Sequence, residues 1–424
     1  MRPTECLHEM FAAAVKAADP AHCLPAHLPA PPAGQTLVIG AGKAGAAMAR
    51  ATEQHWTAPL SGLIVTRYGH AVACGTIEIV EAAHPVPDEK GLDAARRMIE
   101  AVQGLKADDL VLCLISGGGS ALLTLPGEGI TLADKQDLNR ALLKSGANIT
   151  EMNTVRKHLS AIKGGRLATA AYPARVVTLA ISDVPGDDPA TVASGPTVAD
   201  TTTVSDAHAV LAKYAIDPSA SIKAFLATPA AETANPGDPR LATAEFHYIA
   251  TPMASLEAAA DICRQNGIES QILGDDLEGE ARELAAEHAE TARTIAASLK
   301  PDDSPVALIS GGETTVTVRG TGRGGRNAEY LLALAVALDS APGIHAIACD
   351  TDGIDGSEDN AGAIIGPDTL ARAETAGLDA AAFLSNNDGY TFFKHLGDLV
   401  MTGPTLTNVN DFRSILIYPP SKGV

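Results

Sequence analysis

Short apolar runs that end in glycine and give way to helix-like stretches recur along the chain, at 36–45 (TLVIGAGKAG), 110–123 (LVLCLISGGGSALL) and 306–316 (VALISGGETTV). Each predicts a buried strand, a tight turn, and then a helix start or another strand. The runs at 62–69, 174–184, 246–252, 268–274 and 344–353 fit the same sheet logic, while 136–146, 255–267, 279–299 and 326–340 carry helical apolar spacing. Alternation of this kind predicts an α/β chain whose sheets are mostly parallel or mixed and covered by helices. The clearest breaker is Pro229 to Pro239, after which a fresh β-α-β-α-β pattern starts at Phe246, so two domains are expected, 1–236 and 240–424. The likeness of LISGGGSALL to LISGGETTVTV allows an internal repeat, and two sheets each using a Ser-Gly-Gly turn explain it equally well.

Composition narrows the picture. The 424 residues are 46% apolar, enough for two or three cores, and the 4% aromatic content with 39 glycines suits helices packed on sheets better than a β-sandwich. Against 31 Lys and Arg stand 51 Asp and Glu, a formal charge of −20 that repels nucleic acid and anionic membrane surfaces. Neither is an expected partner, and an anionic substrate has to be drawn in by local cations and backbone N–H groups. No apolar run approaches the roughly 18 residues of a membrane span, and no signal-like segment opens the chain, so a cytoplasmic protein is expected. The six cysteines include no C-x-x-C pair, which signals neither zinc nor a disulfide framework.

Candidate chemistry gathers at the strand ends. Gly40, Gly42 and Gly45 form G-x-G-x-x-G between a strand and a helix, the context in which amides cradle phosphate, and Lys43 adds a compact positive charge. Close helix packing is the alternative use of these glycines. A dinucleotide site wants an acid at the next strand end, where this chain has Arg67, which fits NADP at best. Ser116, Gly117, Gly118, Gly119 and Ser120 form a second turn that reads as an anion nest. The segment 154–168 holds Arg156, Lys157, His158, Lys163 and Arg166, with Arg156, Lys163 and Ser160 expected along one helix side, suited to an anion or simply to solvent. Asp183 ends a strand and is followed by Asp187 and Asp188, for which a turn role is equally open. Asp350, Asp352 and Asp355 repeat the arrangement. An EF-hand is excluded because Ile354 and Ala361 fall on ligand positions, so Asp187, Asp352 and Asp355 are candidate helpers of a nucleotide-borne Mg²⁺. At 320–331, Arg323 and Arg326 sit among glycines before a helix beginning near Asn327, a setting for clamping carboxylate or phosphate. Glu313 is left open between ribose, metal and backbone capping. P-loop, protein-kinase, zincin and hydrolase-elbow motifs are missing.

The order of VIGAGKAG, HPVPD (84–88), LISGGGSALL, MNTVRKHLSAIKGGRLA, ISDVPGDDPATVASGPT, ISGGETTVTVRGTGRGGRNAEYLLALA, ACDTDGIDGSEDNAGAII and TGPTLTNVNDFRSILI resembles the glycerate 2-kinases whose C-terminal half is the MOFRL domain. The resemblance runs from about residue 5 to residue 418. It implies a transferase that uses ATP and Mg²⁺ to phosphorylate D-glycerate at its 2-hydroxyl. It also implies two α/β domains, the first Rossmann-like, with the site in the cleft between them. The family's lysine falls on Lys43, its strand-end aspartate on Asp183 and its arginine on Arg326. Asn387-Asp388-Gly389-Tyr390 departs from the family's usual serine after the aspartate. The expected roles are Asp183 on the hydroxyl, Lys43 on the transferring phosphoryl, Arg326 on the glycerate carboxylate or the phosphate, and Ser116 to Ser120 as backbone donors. An NADP-dependent hydroxypyruvate reductase is the alternative enzyme, and a sugar-acid or nucleotide sensor the non-catalytic one. The oligomeric state, a homo-oligomer included, is left open.

Overall fold

A computed structural model describes residues 2–421 and divides them into two units: Pro20–Ile249, and a second made of the residues up to Asp19 together with those from Ala250 onward. The first unit is built on strands β1 (Thr36–Ala41), β2 (Leu60–Arg67), β3 (Ile77–Ala82), β4 (Leu110–Ile115), β5 (Arg175–Ile181) and β6 (Ala244–Ala250), in the order β3-β2-β1-β4-β5-β6. The pairings that join β1 through β5 are parallel. All of β4, and all of β5 except Arg175, is buried, because helices cover both faces; that is why these strands read as unbroken apolar runs. The strand order is that of a doubly wound, Rossmann-like sheet.

Local chemistry sets the helix starts in this unit. Asp88 accepts a hydrogen bond from the Gly91 amide (3.0 Å) to open the helix Glu89–Val102. Reciprocal capping boxes, Thr131 with Asp134 and Asn148 with Glu151, open Leu132–Ser145 and Ile149–His158.

The second sheet comprises β7 (Glu269–Gly274), β8 (Val306–Ser310), β9 (Ile344–Asp350), β10 (Gly362–Ile365), β11 (Leu399–Val400) and β12 (Asp411–Ile417), ordered β11-β10-β9-β12-β8-β7. Only β7 and β8 pair in parallel; the other pairings are antiparallel. Strands β8 and β9, joined through the helix Arg326–Leu338, run in the same direction as their β-α-β pattern predicts. The slot between them is taken by β12, which runs antiparallel to both and is buried throughout.

The expected boundary at 236–240 differs from this division. Proline-rich 229–239 belongs to the first unit, where Ala231, Thr233 and Ala234 are buried, and the 246–252 run, read as the start of a new domain, supplies β6 at the edge of the first sheet. The helix Pro3–Ala17 departs from the expected 1–236 domain as well, since Leu7, Met10, Phe11 and Ala14 pack with Leu256, Ala259 and Cys263 of the helix Pro252–Gln265.

Candidate functional site

The reversal of winding between β1 and β4 opens a crevice at the carboxyl ends of the parallel strands, which is where doubly wound sheets bind ligands. Two glycine turns meet there. The Lys43 amide donates to the Gly117 carbonyl (2.8 Å) and the Ala44 amide to Ser116 Oγ (3.0 Å), so the turn after β1 is stitched to the turn after β4. A side chain at Gly40 would run into the Leu114 carbonyl, one at Gly42 into Ser116, and one at Gly45 into Ile64. The glycines of G-x-G-x-x-G are thereby accounted for by the close approach of β4 and β2, whatever else their amides do. Lys43 is half-buried, with its Cγ beside Gly118, and His84 lies against the same glycine. Asp183, also half-buried, follows β5 by two residues, so it shares this sheet edge.

Beside the second turn lies a hydroxyl–ammonium cluster. Ser120 Oγ is 2.8 Å from Ser194 Oγ, and Lys163 Nζ donates to Ser120 O (2.5 Å), Ser120 Oγ (2.7 Å) and Ser194 Oγ (3.4 Å). Ser194 is held by three successive residues in the left-handed region, Ala193 (φ 50°), Ser194 (62°) and Gly195 (58°). For the two non-glycine residues this is a conformation costing of the order of 1 kcal/mol each. Lys163 is not on the helix that carries Arg156, as the sequence suggested. That helix ends at His158, and Lys163 sits in the loop ahead of Gly164 and Gly165, both with positive φ.

Lys163 and Arg156 nevertheless face one cavity of about 470 Å³, in company with Lys135, Arg140, His84 and Gly118. Its floor is apolar, with Leu138, Leu142 and Val155 among its walls, and no carboxylate lines it. Arg156 is held by the side-chain oxygens of Asn139 and Asn153. Lys135 Nζ is buried without a hydrogen-bond partner. Burial, and then the neighbouring Arg156, pushes the Lys135 ammonium down to about 8. Burial, then Lys135 and Arg156, holds Lys163 well below the usual lysine range. The other cations of the 154–168 segment serve the fold. Lys157 pairs with buried Asp200 (2.6 Å), His158 bonds Ala231 O and Thr202, and Arg166 binds the carbonyls of Ala230, Ala231 and Glu232.

In the second unit, Arg326 is surrounded by acids: Nε to Asp411 (2.9 Å), Nη1 to Glu313 (2.7 Å) and Nη2 to Asp350 (2.8 Å). Those three carboxylates outweigh the burial that opposes them and raise its pKa further. Asp411 is shared with Arg413 (2.8 Å) and with the Asn327 amide nitrogen (2.8 Å). Arg323 pairs with Glu358 and stacks on Tyr390, its guanidinium 4.6 Å from the ring centre. Asn387 Oδ1 accepts from the Arg319 and Gly320 amides, and Asp388 from the Arg323 amide, so the segment that departs from the family pattern orders the glycine-rich loop.

Of the metal candidates, Asp352 and Asp355 bind backbone amides of their own unit. Both Asp355 oxygens cap the helix Arg326–Leu338 through the Asn327 and Ala328 amides, and Asp352 Oδ1 accepts from the Ile354 amide. Asp188 turns the chain by binding the Ala190 amide and the Thr191 hydroxyl. Asp187 differs, because its buried Oδ1 has no hydrogen-bond partner. Among the described residues no three His, Cys, Asp or Glu side chains are grouped to hold an ion.

Sequence reasoning missed Lys135, Ser194 and Asp411. The first lies among Asp134, Gln136 and Asp137, a pattern that reads as a solvated helix face. Ser194 stood in a motif with no role attached, and Asp411 lies in a run whose strand character is masked by polar neighbours.

Residues 6–227 match a family described only as a domain of unknown function (DUF4147), and residues 306–411 match the MOFRL family. A protein of Agrobacterium vitis named "Putative hydroxypyruvate reductase" is 56% identical, over 97% of this chain and 94% of its own. The D-glycerate 2-kinase of Thermotoga maritima is 40% identical, over 95% of each chain. The crystal structure of glycerate kinase from that organism superposes with a TM-score of 0.89 at 40% identity, covering 97% of this chain and 99% of that one. With the strand order, the paired glycine turns and the ordered glycine-rich loop already described, these likenesses place the chain in the glycerate 2-kinase family with a C-terminal MOFRL domain.

Proposed function

We propose that the protein transfers the γ-phosphoryl group of ATP to the 2-hydroxyl of D-glycerate, giving 2-phosphoglycerate and ADP. The observation that carries this reading is the acid-free, cation-lined cavity that adjoins the two stitched turns at the sheet edge shared by Lys43 and Asp183. In a chain of charge −20, such a cavity is where an anionic substrate gains most. Phosphoryl transfer is mostly positioning and charge stabilisation. Lys43 supplies the compact cation at the moving phosphoryl, and Asp183 orients the acceptor hydroxyl and takes its proton. The Ser116–Ser120 turn contributes backbone donors. Arg326 enters through its exposed partner: an incoming phosphate or carboxylate would replace Glu313 at Nη1, while Asp350 and Asp411 keep the guanidinium in place. Mg²⁺ would arrive on the nucleotide, since such ions ask for only one or two protein carboxylates, and Asp187, with its unpartnered buried oxygen, fits that demand better than Asp352 or Asp355.

The second reading, a hydroxypyruvate reductase, is favoured by the name of the 56% identical relative. It leans on G-x-G-x-x-G, whose glycines strand packing already requires, and it leaves the cationic cavity unused. Paired assays on the purified protein separate the two. ADP formation from D-glycerate and MgATP is expected, whereas NADPH oxidation by hydroxypyruvate without kinase activity would reverse the assignment.

A further inference from the structure

Lys135 is the anomaly of the first unit. Its Nζ is buried and has no hydrogen-bond partner, and the residue lines a cavity whose other charged groups, Arg140, Arg156 and Lys163, are cations too. An ammonium in that position is expensive to the fold, because no protein oxygen accepts from it and no carboxylate compensates its burial. Lys163 has three oxygens and Arg156 two asparagines, so the surroundings do solvate their cations where no ligand is needed. The helix also had a neutral way out: Gln136, the next residue, bonds the Pro87 carbonyl (3.1 Å) and so ties the 84–87 segment over this wall. Lys135 is therefore a cation kept without a partner inside a pocket that excludes acids. One end of that pocket is formed by Gly118, Ser120 and His84, beside Lys43.

We propose that Lys135 is a substrate-binding residue that receives the carboxylate of the acceptor acid, and that the apolar wall of Leu138, Leu142 and Val155 admits 2-hydroxy acids carrying an aliphatic chain as well as glycerate. The inference rests on the kinase reading for the identity of the acid, and on the cavity alone for the carboxylate. A bound carboxylate gives Lys135 the counter-charge that the fold withholds, and it restores the ammonium's tendency to stay protonated. The cavity of about 470 Å³ is far larger than glycerate needs, which leaves the leucine wall for a longer chain.

The test uses the full-length protein and the variants Lys135→Met and Lys135→Arg, with calorimetric titration of D-glycerate, 2-hydroxybutanoate, ATP and inorganic phosphate, beside steady-state kinetics. Lys135→Met should weaken D-glycerate and 2-hydroxybutanoate binding at least tenfold and raise KM for glycerate with kcat within threefold, while ATP and phosphate affinities stay within twofold. Lys135→Arg should recover part of the loss. Unliganded Lys135→Met should also melt a few degrees higher than the parent, since it removes an uncompensated buried charge, and this separates lost binding from lost folding. Unchanged glycerate binding in Lys135→Met would overturn the proposal, as would an equal or larger loss for ATP or phosphate, which would make the pocket a phosphate site. Failure of 2-hydroxybutanoate to bind the parent would overturn the apolar-wall half. If the parent binds glycerate through Lys135 but forms no ADP, the kinase reading fails and the carboxylate site stands; if ADP forms with a KM indifferent to Lys135, the kinase reading stands and the carboxylate site fails.

Discussion

Lys43 and Asp183 stand at turn and strand-end positions that a sequence can announce, because a glycine turn after an apolar run and an acid after another fix where the backbone goes. Replacing Lys43 by Ala, or Asp183 by Asn, should lower kcat by roughly 10² to 10³ with the circular dichroism spectrum unchanged; turnover near that of the parent in both would move the catalytic centre elsewhere. Arg326 was equally visible, but its surroundings were not. The acids around it come from β9, β12 and the loop after β8, positions 350, 411 and 313, and nothing in the spacing says they converge on one guanidinium. Lys135 was illegible for the converse reason. A lysine between Asp134 and Gln136 looks solvated until a distant proline segment closes over it, and that closure is a tertiary event with no local signature.

At the scale of elements, strands buried on both faces declared themselves by continuous apolar runs, as β1, β4, β5, β8 and β9 do. Those that did not were short or half-polar: β3 with Glu78 and Glu81, the two-residue β11, and β12, which carries Asp411, Arg413 and Ser414 into the middle of a sheet. Arg413 is tolerated there because its guanidinium bonds the Gly311 carbonyl (2.8 Å) and Asp411 (2.8 Å) and lies over the Tyr330 ring. The β1–β4 approach gives a test at this scale. Gly40→Ala should cost about 3 kcal/mol in urea denaturation, since the new methyl meets the β4 backbone. Gly69→Ala, equally at positive φ (80°) but with open space around it, should cost only about 1 kcal/mol. Equal costs would refute the packing account of the motif. The helix Ala281–Ser298 offers a second test through His288, which bonds the Tyr330 hydroxyl (2.7 Å) and is pushed down to about 4, first by burial and then by Arg413. The unfolded imidazole takes up a proton near pH 6.5 and the folded one only near 4, so this contribution to stability is complete above 6.5 and is lost as the pH falls through that window. It is worth on the order of 3 kcal/mol. His288→Gln should flatten the slope of stability against pH between 6.5 and 4; an unchanged slope would assign the acid sensitivity to other groups.

For the whole molecule, the residues that start the chain complete the unit that ends it. Deleting residues 2–19 should lower the melting temperature of the second unit, because Leu7, Met10 and Phe11, each fully or almost fully buried, contribute about 2 kcal/mol apiece. The first unit's thermal transition should stay in place, as followed by hydrogen exchange in β4 and β5. No pattern in residues 3–17 discloses this allegiance, since an amphipathic helix shows that it packs but not against what. The same arrangement orders events during synthesis. The helix Pro3–Ala17 emerges well before its docking partner Pro252–Gln265, which follows a whole intervening unit, a delay of roughly 10 to 50 s at ribosomal rates. Throughout that interval its apolar stripe has no native surface to meet. The nascent chain therefore carries a sticky helix while the first unit folds behind it, and the protein's yield in a cell depends on how well that helix is shielded until its partner arrives.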